Sequence, residues 1–452
     1  MHILKGYTKQ EISWMMYDWA NSAHSVIIVT LLPIFFDTVA GYTADSVSSM
    51  STWGYATSIA MLIVALAAPF LGVFGDIRGM RKKLFSFFML LGVAACAGMA
   101  FTPGMDFTSG PVAAGKVATL ILVLYIVSVI GFDASAIYYD AFLTDVTTED
   151  RMDKVSTMGY GLGYIGGSTI PLLIFLIMNL VGVPMLTCLA FVFGLTAVWW
   201  LAFSLPLLKN CEQTSGKPYE KGDVARSIKG VGTTIKEIIA NKPMLIYILS
   251  YFFYIDGVHT VISMATTYGT NLGLDSTGMM LALLLVQILG LPFCLLYIKC
   301  SEKFGARTMV GFGICVYMFI CIFAFFMNSL WQFWVLAVLC ATSQGGIQAL
   351  SRSMYGKLIP DKDRSGEFFG FFDIFGKFSS IMGPALVGVV SSVVANGMLG
   401  VQGLTAQTAT AEQIDAINAQ SSHYGILSII IIIIVGAVLY FGFLPKAEHA
   451  KQ

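Results

Sequence analysis

Charge is what this sequence has least of. Only 12% of its 452 residues are Asp, Glu, Lys or Arg, about half the share of a soluble domain, so most of the surface cannot be meant for water. Acidic and basic residues balance at 26 each, leaving no net field to gather nucleic acid, and none is expected as a partner. The eight cysteines contain no Cys-x-x-Cys pair and none falls in a segment placed on the outer side of the membrane, so no disulfide framework is expected and they read as apolar filler. The opening run MHILKGYTKQEIS lacks a short apolar core followed by a small-residue cleavage site, and no removable signal is expected from it. No Walker phosphate loop occurs, so ATP is not the expected energy source, and neither a cofactor nor a metal set is indicated.

Apolar length fills the space left by charge. The chain is 57% hydrophobic with a mean hydropathy of +0.78. Twelve stretches are long enough to cross a hydrocarbon core of about 30 Å: 13–38, 51–75, 84–102, 117–141, 157–180, 184–207, 243–269, 278–298, 308–327, 331–351, 367–394 and 424–443. Of the 26 Lys and Arg, all but Lys116 and Lys377 fall in the two termini and in every second loop. Positive loops stay cytoplasmic, so an integral, multi-pass protein with both termini inside is expected, in an all-α fold of twelve transmembrane helices. The short tails favour a bacterial inner (plasma) membrane.

The two halves echo each other. Asp18, Asn21, Ser22 and Ser25 in the first span and Asp256, His259, Thr260 and Ser263 in the seventh share the spacing i, i+3, i+4, i+7, which sets four polar groups on one helical face. An ionised Asp at mid-membrane costs about 2.5–3.5 kcal/mol, so two such faces imply an aqueous cavity. Asp76, Gly79 and Arg81 after the second span recur as Glu302, Gly305 and Arg307 after the eighth, and Asp150-Arg151 recurs as Asp363-Arg364. Three echoes in order argue for an internal duplication: a six-helix bundle over 1–207, a linker with an amphipathic helix over 208–242 (Val224, Ile228, Val231, Ile235), and a second bundle over 243–452.

The run GDIRGMRKK (75–83) resembles the cytoplasmic loop signature of the major facilitator superfamily. YDWANSA (17–23), YIDGVHTVI (254–262), ALSRSMYGKLIP (349–360) and EFFGFFDIFGKFSS (367–380) are similar to the autophagy-related vacuolar amino-acid effluxers and their bacterial relatives, and the resemblance runs nearly end to end. It implies two pseudo-symmetric six-helix bundles rocking about a central site, and small solutes, amino acids among them. It also implies a charge-relay latch at the inner gate, built from Asp76, Arg78, Gly79 and Arg81 with a weaker copy at Glu302, Gly305 and Arg307. An acid at a span's end gains from a neighbouring helix N-terminus.

In that architecture the first, fourth, seventh and tenth spans line the cavity, and these carry the buried polar residues. Asp133 and Asp140 lie seven apart in the fourth; Gln344, Gln348 and Ser351 stripe the tenth. Asp256 sits 14 residues past Lys242, about 20 Å up a helix and near the midplane. A carboxylate there and His259 one turn on are natural groups to take up and release a proton. Asp18, Asn21, Ser22, Asp133, Asp256, His259, Thr260, Gln344 and Gln348 are therefore the candidate substrate- or proton-binding residues. Lys377 either neutralises Asp373, four residues before it, or holds a substrate carboxylate. The competing reading of every one of these is hydrogen bonding that fixes helix packing.

Two apparent motifs carry no chemistry. Gly161-Leu-Gly163-Tyr-Ile-Gly166 follows no strand and lies within a span; Gly159, Gly163 and Gly167, spaced by four, serve close helix packing. An aspartyl intramembrane protease needs a second motif that Val73-Phe-Gly75-Asp76 does not supply, so no enzyme is expected. The expectation is a secondary active transporter that moves a small polar solute, an amino acid or related metabolite, by alternating access with a coupling proton or Na⁺. The alternatives are a cation-coupled sugar or glycoside symporter and a non-transporting membrane receptor or scaffold.

Overall fold

A computed structural model describes residues 4–43, 49–218, 223–404, 408 and 410–444, without side-chain detail at several helical positions, chiefly 49–51, 223–230 and 379–381. Every regular element among the described residues is helical: α1 (Lys9–Ala40), α2 (Ser49–Gly75), α3 (Arg81–Met99), α4 (Pro111–Val146), α5 (Met152–Gly163), α6 (Ile170–Leu180), α7 (Met185–Asn210), α8 (Asp223–Ala240), α9 (Lys242–Asn271), α10 (Ser276–Phe304), α11 (Ala306–Phe325), α12 (Leu330–Leu358), α13 (Ser365–Val401) and α14 (Ala411–Val438). Twelve segments are long and apolar enough to span a membrane, as the hydropathy predicts. The fifth is α5 and α6 joined through a π-helical turn at Tyr164–Thr169. The remaining helix, α8, is the linker helix; Val224 and Ile228 of its expected apolar stripe lie outside the described side chains.

The helix ends follow local chemistry. Thr8 and Glu11 form a reciprocal capping box on α1, as Thr410 and Gln413 do on α14. The Asp275 carboxylate caps α10. Such caps satisfy N–H groups that the first turn leaves without partners. Outward faces are apolar, with Leu66, Val198 and Ile431 all about two-thirds bare, a surface that lipid must cover.

The chain forms two compact units: Met1–Thr234 with Ile359–Ile374, and Ile235–Leu358 with Phe375–Gln452. Their interiors repeat one motif. In the first unit the Tyr17 hydroxyl meets Ser135 Oγ at 2.8 Å, tying α1 to α4. In the second, the Tyr254 hydroxyl meets Ser351 Oγ at 2.6 Å, tying α9 to α12. Tyr17 and Tyr254 lie one and two residues before the aspartates that open the two polar stripes, so the echo in the sequence coincides with a repeated pair of hydrogen bonds.

The first turns of α13 join the first unit because glycines let backbones touch. A Cβ on Gly366 would lie 2.6 Å from the Gly72 carbonyl oxygen, and one on Gly370 2.5 Å from that of Ala68. Backbone cannot yield as a flexible side chain can. Gly366→Val is therefore expected to destabilise the protein by about 1–3 kcal/mol or more, as overpacking does. Gly397→Ala, on the same helix with nothing within 4 Å, should leave the melting temperature unchanged; equal melting temperatures for the two variants would refute the close contact.

Candidate functional site

Polar groups concentrate in two places, one in each unit. The first is the turn between α2 and α3. Gly79 adopts φ +81°, a conformation that only glycine takes at little cost, and so reverses the chain from Asp76 to Arg81. Arg81 is fully buried. Its Nη2 donates to Asp76 Oδ1 and to Ser365 Oγ, both at 2.9 Å. Its Nη1 donates to an Asp145 carboxylate oxygen and, at 3.2 Å, to the Ala141 carbonyl and Ser215 Oγ. Asp76 also accepts the N–H of Gly366 at 2.7 Å and of Glu367 at 2.8 Å. These are the free donors at the start of α13, where a carboxylate is stabilised by both hydrogen bonds and the helix dipole. Burial nonetheless pushes the Asp76 carboxyl up to about 7, against the opposing pull of Arg81 and the two N–H groups.

Part of this network escaped the sequence reading. Residues 213–217 form a strap over the turn. Gln213 accepts the N–H of Gly79 at 2.9 Å and donates to the Gly75 carbonyl at 2.9 Å. The main chains of Ile77 and Lys217 pair in a single β-bridge. Asp145 accepts the N–H and hydroxyl of both Thr214 and Ser215, and Asp363 accepts the N–H of Gly216. Thr234 bonds to Glu367, which pairs with Arg364 at 3.0 Å. A polar Gln-Thr-Ser-Gly run directly after an apolar span was the available signal; nothing local says which turn it covers. Arg78 contributes its backbone N–H, to the Lys217 carbonyl, while its side chain is exposed.

The second copy is built differently. Gly305 turns the chain with φ +83°, but Glu302 is exposed, and Arg307 donates to the Leu444 carbonyl at 2.7 Å while its own carbonyl accepts the Tyr440 hydroxyl. There the arginine fastens the end of the last span.

The polar face of α1 lies against α5. Asp18 and Asn21 are buried, and Ser22 donates to the Asp18 carbonyl at 2.7 Å. A side chain at Gly159 would strike the Asp18 carboxylate, and one at Gly163 would lie 2.6 Å from Ser22 Oγ. The glycine ladder is thus a packing surface for this polar face. Asp133 is buried on α4, within electrostatic reach of Tyr125.

The other concentration lies on α9 in the second unit. Asp256 is fully buried. Its Oδ1 accepts the N–H of Gly383 at 2.9 Å and the Thr260 hydroxyl at 3.4 Å; its Oδ2 is buried with no hydrogen-bond partner among the described residues. Gly383 is fixed as glycine, because a Cβ there would lie 2.8 Å from Asp256 Oδ1. Half-buried His259 lies within electrostatic reach of Lys377. Gln344 lines a small apolar pocket of about 90 Å³ with Gln287, and Gln348, one turn on, is half-buried. The structure thus brings Asp256, Thr260, His259 and Lys377 into one region of α9 and α13.

Comparison with known proteins agrees on the class. Residues 41–401 match the family described as "Vacuole effluxer Atg22 like". The chain is 40% identical to the "Uncharacterized MFS-type transporter YxiO" of Bacillus subtilis (strain 168), over 98% of its own length and 96% of that protein's. It is 25% identical to Autophagy-related protein 22-1 of Penicillium rubens, over 53% of its own length and 44% of the fungal protein's. In three dimensions it superposes on the proton:xylose symporter XylE with a TM-score of 0.69 at 14% identity, covering 97% and 94% of the two chains. That likeness establishes the fold.

Proposed function

From the premise that the chain belongs to the Atg22-like family of transporters and has the major facilitator fold, we propose that it moves a small zwitterionic solute, an amino acid or close relative, by alternating access coupled to a proton. The observation that carries this reading is Asp256: a fully buried carboxylate with one oxygen lacking a hydrogen-bond partner. Lone polar atoms in a hydrocarbon setting are expensive, and where they persist they mark ion or substrate pathways. Lys377 and Asp256 offer opposite charges to the two ends of a zwitterion, and His259 provides a second titratable group between α9 and α13.

The Asp76–Arg81 network is the proposed inner latch. It binds the start of α13 while formed and releases it as the halves, 1–207 and 243–452 about the 208–242 linker, rock. The charge pattern of the loops supports an orientation with both termini cytoplasmic, in the proposed setting of a bacterial inner membrane. Asp18, Asn21, Ser22, Asp133, Gln344 and Gln348 complete the proposed polar lining.

Thermal-shift screening of the purified protein tests the reading, with amino acids, sugars and organic acids at about pH 5.5 and 7.5, on either side of the histidine range. A ligand that binds only the folded state stabilises it by about 2.7 kcal/mol at a hundredfold excess over Kd. Amino acids are expected to stabilise, with strength that depends on pH. Stabilisation by sugars alone, and only with Na⁺, would replace this reading with cation–sugar symport.

A further inference from the structure

We propose that a half-open cavity between α9, α13 and α14 is a water-filled proton route to Asp256, separate from the site that holds the solute. This deepens the proposed function and rests on Asp256 being the coupling group. The cavity measures about 410 Å³ and lies wholly within the second unit. Asp256, Thr260, Met264, Thr267 and Asn271 fall at i, i+4, i+8, i+11 and i+15, along one face of α9. Gly383, Val387, Ser391 and Ala395 follow at steps of four on α13. The two faces touch at the Asp256–Gly383 hydrogen bond. Two turns further along α9 Met264, and one turn further along α13 Val387, line the cavity, which continues past Thr267, Asn396 and Asn418 to Asn271.

Its lining mixes hydroxyls and amides with apolar side chains and, among the described residues, carries no Asp, Glu, Lys, Arg or His. Hydroxyls and amides order water, and the volume holds on the order of ten molecules. The absence of any counter-charge gives an ion or a zwitterion nothing to rest on, so the lining suits passage of protons better than binding of the solute. The titratable groups nearest Asp256 along α9 are Tyr251, Tyr254 and His259, with Lys377 on α13 in the same unit; none of them lines the cavity.

Thr260 lies one helical turn past Asp256 and one turn before Met264, a cavity-lining residue of α9. It is fully buried and its hydroxyl donates to Asp256 Oδ1. A hydrated excess proton entering from the cavity passes to Thr260 Oγ1 as the threonine's own proton passes to the carboxylate, and the water that carried it is left neutral. One O–H bond forms and one breaks at the threonine, and a single proton has moved onto Asp256. In the proposed orientation the Asn271 end of α9 is the outer one, so the route would admit protons from outside.

Infrared spectroscopy of the full chain in lipid nanodiscs tests this directly. The C=O stretch of protonated Asp256 is assigned as the band that Asp256→Asn removes, and the rate at which it shifts in D₂O reads proton access. Thr260→Val is expected to slow that shift on the order of tenfold or more, because it removes the relaying hydroxyl, whereas Thr260→Ser should preserve it. Thr267→Leu with Asn418→Leu, which fills the cavity and leaves Thr260 intact, should slow the shift as well. An assigned band that exchanges at the wild-type rate in both Thr260→Val and the cavity-filled variant overturns the route while leaving the coupling group in place. Failure of Asp256→Asn to remove any band between about pH 5.5 and 7.5 overturns the coupling role, and the route with it.

Discussion

Arg81→Ala is expected to destabilise the first unit by about 3–5 kcal/mol, the range for removing one partner of a buried ion pair. The guanidinium is fully buried and answers both Asp76 and Asp145, so its loss leaves the Asp145 carboxylate, and Asp76 wherever it is ionised, with only neutral donors. Arg81→Lys should recover part of the loss, because an ammonium keeps the charge but lacks the planar fork that reaches both acids and Ser365 together. Thermal unfolding reads the stability. Hydrogen exchange of residues 365–369 reads the proposed latch, since the Gly366 and Glu367 amides are those that Asp76 holds. Unchanged unfolding together with unchanged exchange would remove Arg81 from the latch.

The same amides should report pH. Asp76 has its carboxyl raised from 3.8 to about 7 by burial. A raised carboxyl means that the docked arrangement holds a proton which an undocked, hydrated Asp76 would release. Its contribution to docking is thus complete below the ordinary carboxyl value and is lost as pH rises through about 7. After correction for intrinsic exchange rates, protection of the two amides should fall across that window, and Asp76→Asn should flatten the dependence. A pH-independent profile in the wild type would show that Asp76 stays in one protonation state while docked.

Asp256→Asn is expected to abolish accumulation of solute driven by an imposed pH gradient, a loss on the order of a hundredfold, while the fold survives. Asparagine retains an oxygen for the Gly383 N–H and the Thr260 hydroxyl, the two bonds Asp256 makes through Oδ1, but it cannot gain or lose a proton. Reconstituted vesicles, loaded with whichever solute stabilises the protein in thermal shift, provide the measurement. Loss of gradient-driven uptake with solute exchange retained identifies a coupling group. Loss of both indicates a binding role, and wild-type accumulation would eliminate Asp256 from the mechanism.

Each span was legible in the sequence because crossing a bilayer is a one-dimensional requirement: enough consecutive apolar residues to match the hydrocarbon thickness, with backbone bonds satisfied inside the segment. The echo between the halves was visible because polar exceptions recur in the same order, at offsets of 238, 226 and 213 residues. Packing by Gly159 and Gly163 was legible too, since residues four apart share a helix face, although Asp18 as what they pack against was not.

Neighbours distant in the chain were settled only by tertiary structure. The sequence marks Asp76 and Arg81 as unusual, yet it does not say that Arg81 reaches Asp145 and Ser365, that Asp76 receives the first amides of α13, or that Gln213 and Ser215 strap the turn shut. It repeats the acid, glycine and arginine at 302, 305 and 307, yet there the arginine binds the end of the last span. Residue types and periodicity fix which groups share one helix face, and so the spans and their polar stripes were determined by the sequence alone. Whether a buried carboxylate meets a glycine backbone, a cation or a wet cavity depends on which second helix is brought against that face, and that is decided by packing among segments hundreds of residues apart.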